Sequence, residues 1–98
     1  MVKKIKWNRA ADKNFDAIAY YLQTNYSTQS AENFHDLVYN RIDQIAKGLT
    51  VGRLSSKSKT VLVLKLDNHK QMYYRLAGTT LIIVDFWDTR QNPEKKPF

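Results

Sequence analysis

An α+β fold, in the order β-α-α-β-β-β, is what this 98-residue sequence predicts. Two long helical stripes fill the first half and are separated by only two or three residues. Three short strand-like runs fill the last third, with turn chemistry between them. Helices so close in sequence form an αα-hairpin, and a hairpin with one apolar side needs a sheet to cover it. The expected architecture is therefore an N-terminal αα-hairpin packed on one face of a small antiparallel sheet, in a single domain over residues 1–98.

Residues 1–7 read as an edge strand, because Ile5 and Trp7 alternate with Lys4 and Lys6 and charges guard an exposed edge. Residues 8–49 read as the helical hairpin. Asn8 stands at an N-cap position, and Ala11, Phe15, Ile18, Ala19, Leu22 and Tyr26 recur at three- and four-residue spacing, giving a helix from Arg9 to Asn25. Ser27 is the second N-cap. Ala31, Phe34, Val38, Ile42, Ile45 and Leu49 then repeat the period, widened by Leu37 and Ala46. Gly48 and Gly52 are expected to supply positive φ at the helix end. Residues 50–60 form a basic loop without periodicity, and residues 61–87 a three-stranded meander with strands at 61–66, 71–76 and 81–87. Residues 88–98 are a polar tail that holds both prolines.

Strict alternation along the meander predicts two faces. Leu62, Leu64, Leu66, Met72, Tyr74, Leu76, Ile82, Val84 and Phe86 share the face that meets the helices. Lys65, Tyr73, Arg75, Asp85 and Trp87 share the other, among Val61, Val63, Leu81 and Ile83. Trp, Tyr and Arg are typical interface anchors, and an exposed apolar strip marks a partner surface that an added helix or strand would cover. Asp85 is expected to pair with Arg75 or Lys65.

Sixteen Lys and Arg against nine Asp and Glu leave a net charge of +7, which favours polyanionic partners. Lys3, Lys4, Lys6 and the basic loop read as solvated charges that attract such partners at long range. No run approaches the ~18 apolar residues of a membrane span, and the N-terminus lacks an apolar signal segment, so a cytoplasmic location without membrane partners is expected. There is no cysteine, hence no disulfide and no thiolate chemistry. His69, in a predicted turn, and His35, off the apolar stripe, read as surface residues. No metal site and no small-molecule cofactor are expected.

Three stretches carry a family resemblance: Trp7-Asn8-Arg9-Ala10-Ala11, His69-Lys70-Gln71-Met72-Tyr73-Tyr74-Arg75-Leu76 and Phe86-Trp87-Asp88-Thr89-Arg90-Gln91-Asn92-Pro93. With the element order, they make the chain similar to the RelE/ParE superfamily of bacterial type II toxin–antitoxin toxins, in its ParE-like branch. The resemblance implies a toxin neutralised by a small acidic antitoxin. It also implies one of two targets: DNA gyrase, inhibited by binding, or the ribosome, where mRNA is cleaved. Taken with the face assignment, the residues expected to bind target or antitoxin are Lys65, Tyr73, Arg75, Leu81, Ile83, Asp85, Trp87 and Arg90. If the chain is a metal-independent endoribonuclease, Lys65, Tyr73, Arg75 and Arg90 are the catalytic candidates, with Arg90 as a bidentate phosphate clamp. Residues 91–98 contain no Tyr or His, and Gln71 stands where the family carries Arg, which favours a non-catalytic inhibitor. A third reading is a binding module without toxicity.

Overall fold

The two apolar stripes become α1 (Arg9–Asn25) and α2 (Thr28–Ala46) in the computed structural model, which describes residues 2–90. The remainder of the tail, including Gln91, Asn92 and Pro93, lies outside the described residues. Ser27 caps α2 as expected, its Oγ accepting from the Ser30 N–H at 3.0 Å. Asn8 occupies the N-cap of α1 without a side-chain cap bond. Its backbone works instead: the N–H donates to the Ile83 carbonyl at 2.9 Å and the carbonyl accepts from Asp12 at 3.1 Å. The first helix is thus tied directly to the sheet.

The C-terminus of α2 closes in a Schellman turn. Gly48, at φ 72°, donates to the Ile45 carbonyl at 3.0 Å, and Leu49 donates to Gln44 at 2.8 Å. The apolar stripe therefore stops short of Leu49, which is exposed. Gly52 has no positive φ, contrary to expectation, and is required for space. A Cβ there would overlap the Val63 carbonyl oxygen and sit 3.2 Å from Tyr74 Cε1. Its N–H donates at 2.6 Å to the hydroxyl of Tyr74, a residue with no exposed surface.

The sheet comprises β1 (Lys4–Trp7), β2 (Arg53–Leu54), β3 (Leu62–Lys65), β4 (Lys70–Ala77) and β5 (Thr80–Asp88), in the spatial order β1-β5-β4-β3-β2. It is mixed: β1 runs parallel to β5, and the other pairings are antiparallel. The loop predicted at 50–60 supplies the two-residue edge strand β2.

Face assignment on β3 and β4 follows alternation, with Met72 and Tyr74 buried beneath the helices and Leu62 and Leu64 packed against them. On β5 it changes midway. Tyr73 pairs with Asp85 while Tyr74 pairs with Ile83, so Val84 is an unpaired bulge. Leu81 and Ile83, expected on the open face, have no exposed surface and belong to the helix-side core. Ile82, expected in that core, is in register with Lys6 and Arg75 on the opposite face. After the bulge Phe86 again points inward. Its ring lies 5.4 Å from Trp7, 5.6 Å from Phe15 and 6.3 Å from Phe34, joining both helices to the sheet.

Gly52→Ala should cost about 2–3 kcal/mol of stability, because neither the Val63 backbone nor the buried Tyr74 ring can move aside. Tyr74→Phe should cost about 1 kcal/mol, the net worth of one hydrogen bond. Urea midpoints measured on both variants check the order.

Candidate functional site

Register defines the open face strand by strand, since residues directly paired across a sheet share a side. One row runs Lys6, Ile82, Arg75 across β1, β5 and β4. The next runs Arg53, Val63, Tyr73, Asp85 across β2, β3, β4 and β5. A third runs Lys65, Gln71, Trp87. Lys4, paired with Thr80, extends the face along β1. Lys4, Lys6, Arg53, Lys65 and Arg75 are all exposed. The apolar members are not: Val61 is 5%, Ile82 7% and Tyr73 0% exposed. An apolar strip was expected here, and the surface offered is cationic.

Tyr73 lies at the centre of this face with its hydroxyl donating to Gln71 Oε1 at 2.9 Å. Burial, reinforced by the negative charge of Asp85 opposite, pushes its pKa up to about 12. The phenol is therefore neutral at physiological pH.

Asp85 does not pair with Arg75 or Lys65. Beyond Ile83, β5 has lost β1 as a neighbour, and the Asp85 carboxylate reaches α1 there, Oδ1 accepting from Asn14 Nδ2 at 2.6 Å and from the Phe86 N–H at 2.8 Å. It is a buried structural acceptor. Trp87 remains half-buried on the open face.

Arg90 is directed elsewhere. Asp88, paired with Lys70 on the helix side of β5, is buried and holds the Arg90 guanidinium by Nη2 to Oδ2 at 3.3 Å and the Arg90 N–H by Oδ1 at 2.9 Å. The guanidinium lies 5.3 Å from the Tyr26 ring centroid and 6.0 Å from that of Tyr21, a cation–π arrangement at the C-terminal end of α1. The Asp88 hydrogen bond raises the Arg90 pKa further. Arg90 borders a cleft of about 250 Å³ between the helical hairpin and the β3–β4 turn. There Lys70, 6% exposed, pairs with Asp67 at 2.9 Å. Burial alone would raise the Asp67 pKa, but hydrogen bonds from the Lys70 ammonium and the His69 and Lys70 N–H groups leave it below the usual carboxylate range.

The structure thus brings Lys65, Tyr73, Arg75, Asp85 and Trp87 onto one face by register and keeps Leu81, Ile83 and Arg90 off it. Lys4 and Lys6, read from sequence as solvated charges, belong to that face, as does Arg53. Their alternation with Ile5 and Trp7 was visible in the sequence, but the strand beside which β1 lies was not. His69 lies exposed in its turn, and His35 is on the surface beside Asp36 at 3.3 Å.

Comparison with known proteins gives a consistent result. Residues 5–93 match the family described as the ParE toxin of the type II toxin–antitoxin system, parDE. No curated protein sequence matches the chain significantly. Among solved structures, the chromosomal ParDE toxin–antitoxin system from P. aeruginosa is similar at TM-score 0.73 and 19% identity, over 89% of this chain and 96% of that one. A copper-bound mutant toxin from Helicobacter pylori aligns at TM-score 0.67 and 16% identity, covering 94% and 99% of the two chains. The E. coli DinJ–YafQ toxin–antitoxin complex aligns at TM-score 0.65 and 9% identity, covering 94% and 98%. At these identities the structural likenesses establish the fold.

The raised Tyr73 pKa has a measurable consequence. The unfolded phenol ionises near pH ~10, so between there and about 12 the unfolded chain releases its proton before the native one does. Stability is intact below that window and falls as pH rises through it. Tyr73→Phe should remove a phenol that titrates near pH 12 from an absorbance titration and flatten this alkaline decline.

Proposed function

Because the chain belongs to the ParE toxin family of type II toxin–antitoxin systems, we propose that it acts as a non-catalytic inhibitor. Its open sheet face meets its target, DNA gyrase, and a cognate acidic antitoxin neutralises it. The observation that carries this reading is the separation of the groups a metal-independent ribonuclease would have to bring together. Such an enzyme needs a base or acid and several cations converging on one phosphate. Here Arg90 is bound to Asp88 and two tyrosines on the helix side, whereas Lys65 and Arg75 occupy the open face. Tyr73, between them, has no exposed surface and a pKa of about 12, which makes it a poor base at neutral pH.

Binding asks for less than catalysis. Lys65 and Arg75, both exposed, and the half-buried Trp87 provide charge and one aromatic anchor. The net charge of +7 would accelerate encounter with an acidic antitoxin or a nucleoprotein target. Two of the similar solved structures, the P. aeruginosa ParDE system and the E. coli DinJ–YafQ complex, are toxin–antitoxin assemblies, in line with an antitoxin partner.

Inducible expression with early sampling tests the proposal. Loss of plasmid supercoiling with intact mRNA is expected. Codon-phased mRNA ends with normal supercoiling would instead support the ribosome-dependent endoribonuclease, and neither defect in a folded protein would support the non-toxic module. Arg75→Glu should weaken target binding by about tenfold or more, since like-charge juxtaposition costs on the order of a few kcal/mol. It should leave the fold intact, and full toxicity in this variant would remove the open face from the account.

A further inference from the structure

We infer that the open face binds the phosphate backbone of duplex DNA, with Lys4 and Lys6 of β1 as contacts alongside Arg53, Lys65 and Arg75. This rests on the gyrase reading above and names the component that the face touches: the DNA held by the enzyme.

Charge and exposure support this assignment. Four of the five strands each contribute at least one cation, and all five cations are exposed. The ion pairs Lys47–Asp43, Lys70–Asp67 and Arg90–Asp88 use none of them. Asp85, the carboxylate that register assigns to this side, is buried and occupied by Asn14. Five exposed cations against this one buried carboxylate leave the face net positive among the described residues.

The choice between DNA and an acidic protein follows from what is missing at the surface. Protein interfaces derive their energy from buried apolar and aromatic anchors. Here Val61, Tyr73 and Ile82 are already covered, which leaves Trp87 half-buried and otherwise chiefly cations and polar groups. A polyphosphate needs no apolar anchor, because release of its condensed counterions supplies the affinity. Dimensions also agree. Four interstrand steps of about 4.8 Å spread the charges across ~19 Å, enough to reach phosphates on both sides of a major groove about 12 Å wide. Gln71, the uncharged amide on this face, is half-buried and already accepts from Tyr73, and the cations are assigned to phosphates, so the binding should be independent of sequence.

Fluorescence anisotropy of the purified protein with a labelled duplex of random sequence tests this. With all five cations engaged, log K against log salt should fall with a slope near about −4.5. Lys4→Glu combined with Lys6→Glu should weaken binding by tenfold or more and reduce that slope by about 2. Lys47→Glu, at an exposed cation that caps the C-terminus of α2, should change affinity less than threefold. Should the β1 variant fail to unfold cooperatively, Arg53→Glu with Lys65→Glu replaces it with the same expectation. Equal losses for Lys47→Glu and the β1 variant would reduce the effect to net charge and overturn the assignment. Tighter binding of single-stranded RNA, or unchanged DNA affinity with lost binding to DNA-free gyrase, would also overturn it. Failure here is separable from failure of the gyrase reading. DNA binding with unaltered supercoiling sinks the latter alone, whereas supercoiling loss without DNA binding sinks this inference alone.

Discussion

One unpaired residue in β5 determines which side chains the protein buries and which it displays. Val84 is skipped by the β4 ladder, so the strand changes phase between Ile83 and Asp85. Leu81 and Ile83 can then point inward together with Phe86, although an odd number of residues separates Ile83 from Phe86 only if one of the intervening two is left out of the alternation. Without the bulge, either the first half of the strand or Phe86 would face the wrong side. Phe86 is the ring that meets Trp7, Phe15 and Phe34, so the packing of both helices depends on that phase. On the reverse side the same shift leaves Ile82 between Lys6 and Arg75 and keeps Leu81 and Ile83 off the open face.

A second consequence concerns the two ends of β5. At its start the strand is flanked by β1, whose lysines it aligns with Arg75. After Ile83 that neighbour is gone, and Asn14 of α1 takes up the Asp85 carboxylate. At its finish Asp88 is buried on the helix side and draws Arg90 toward Tyr26 and Tyr21. The guanidinium that a nuclease would need beside Arg75 is thereby committed to fastening the strand end to the helical hairpin. That placement is the observation on which the proposed reading as a binding protein rests.

Much of this was legible from residues. The helix boundaries followed from the three- and four-residue recurrence of apolar positions, the α2 cap from Ser27, and the facing of β3 and β4 from alternation. Three features were not legible, each for a physical reason. A bulge leaves no mark in a run such as Leu81-Ile82-Ile83-Val84, where every residue is apolar and either phase looks equally buried. The position of β1 depends on a parallel pairing over seventy residues away in sequence, so Lys4 and Lys6 could not be assigned to a face before the topology was known. The direction of Arg90 is set by Asp88, two residues earlier, and by tyrosines near the end of α1 whose proximity only the fold creates.

Deleting single residues of β5 tests the phase shift most directly. Removal of Val84 leaves Ile83, Asp85 and Phe86 in plain alternation, so the account predicts a protein that still folds and melts cooperatively. Removal of Ile82, by contrast, should send Leu81 or Ile83 to the open side and abolish the cooperative transition. If the Val84 deletion unfolds the chain while the Ile82 deletion is tolerated, or if both destroy the transition alike, the bulge does not set the two faces and the account fails.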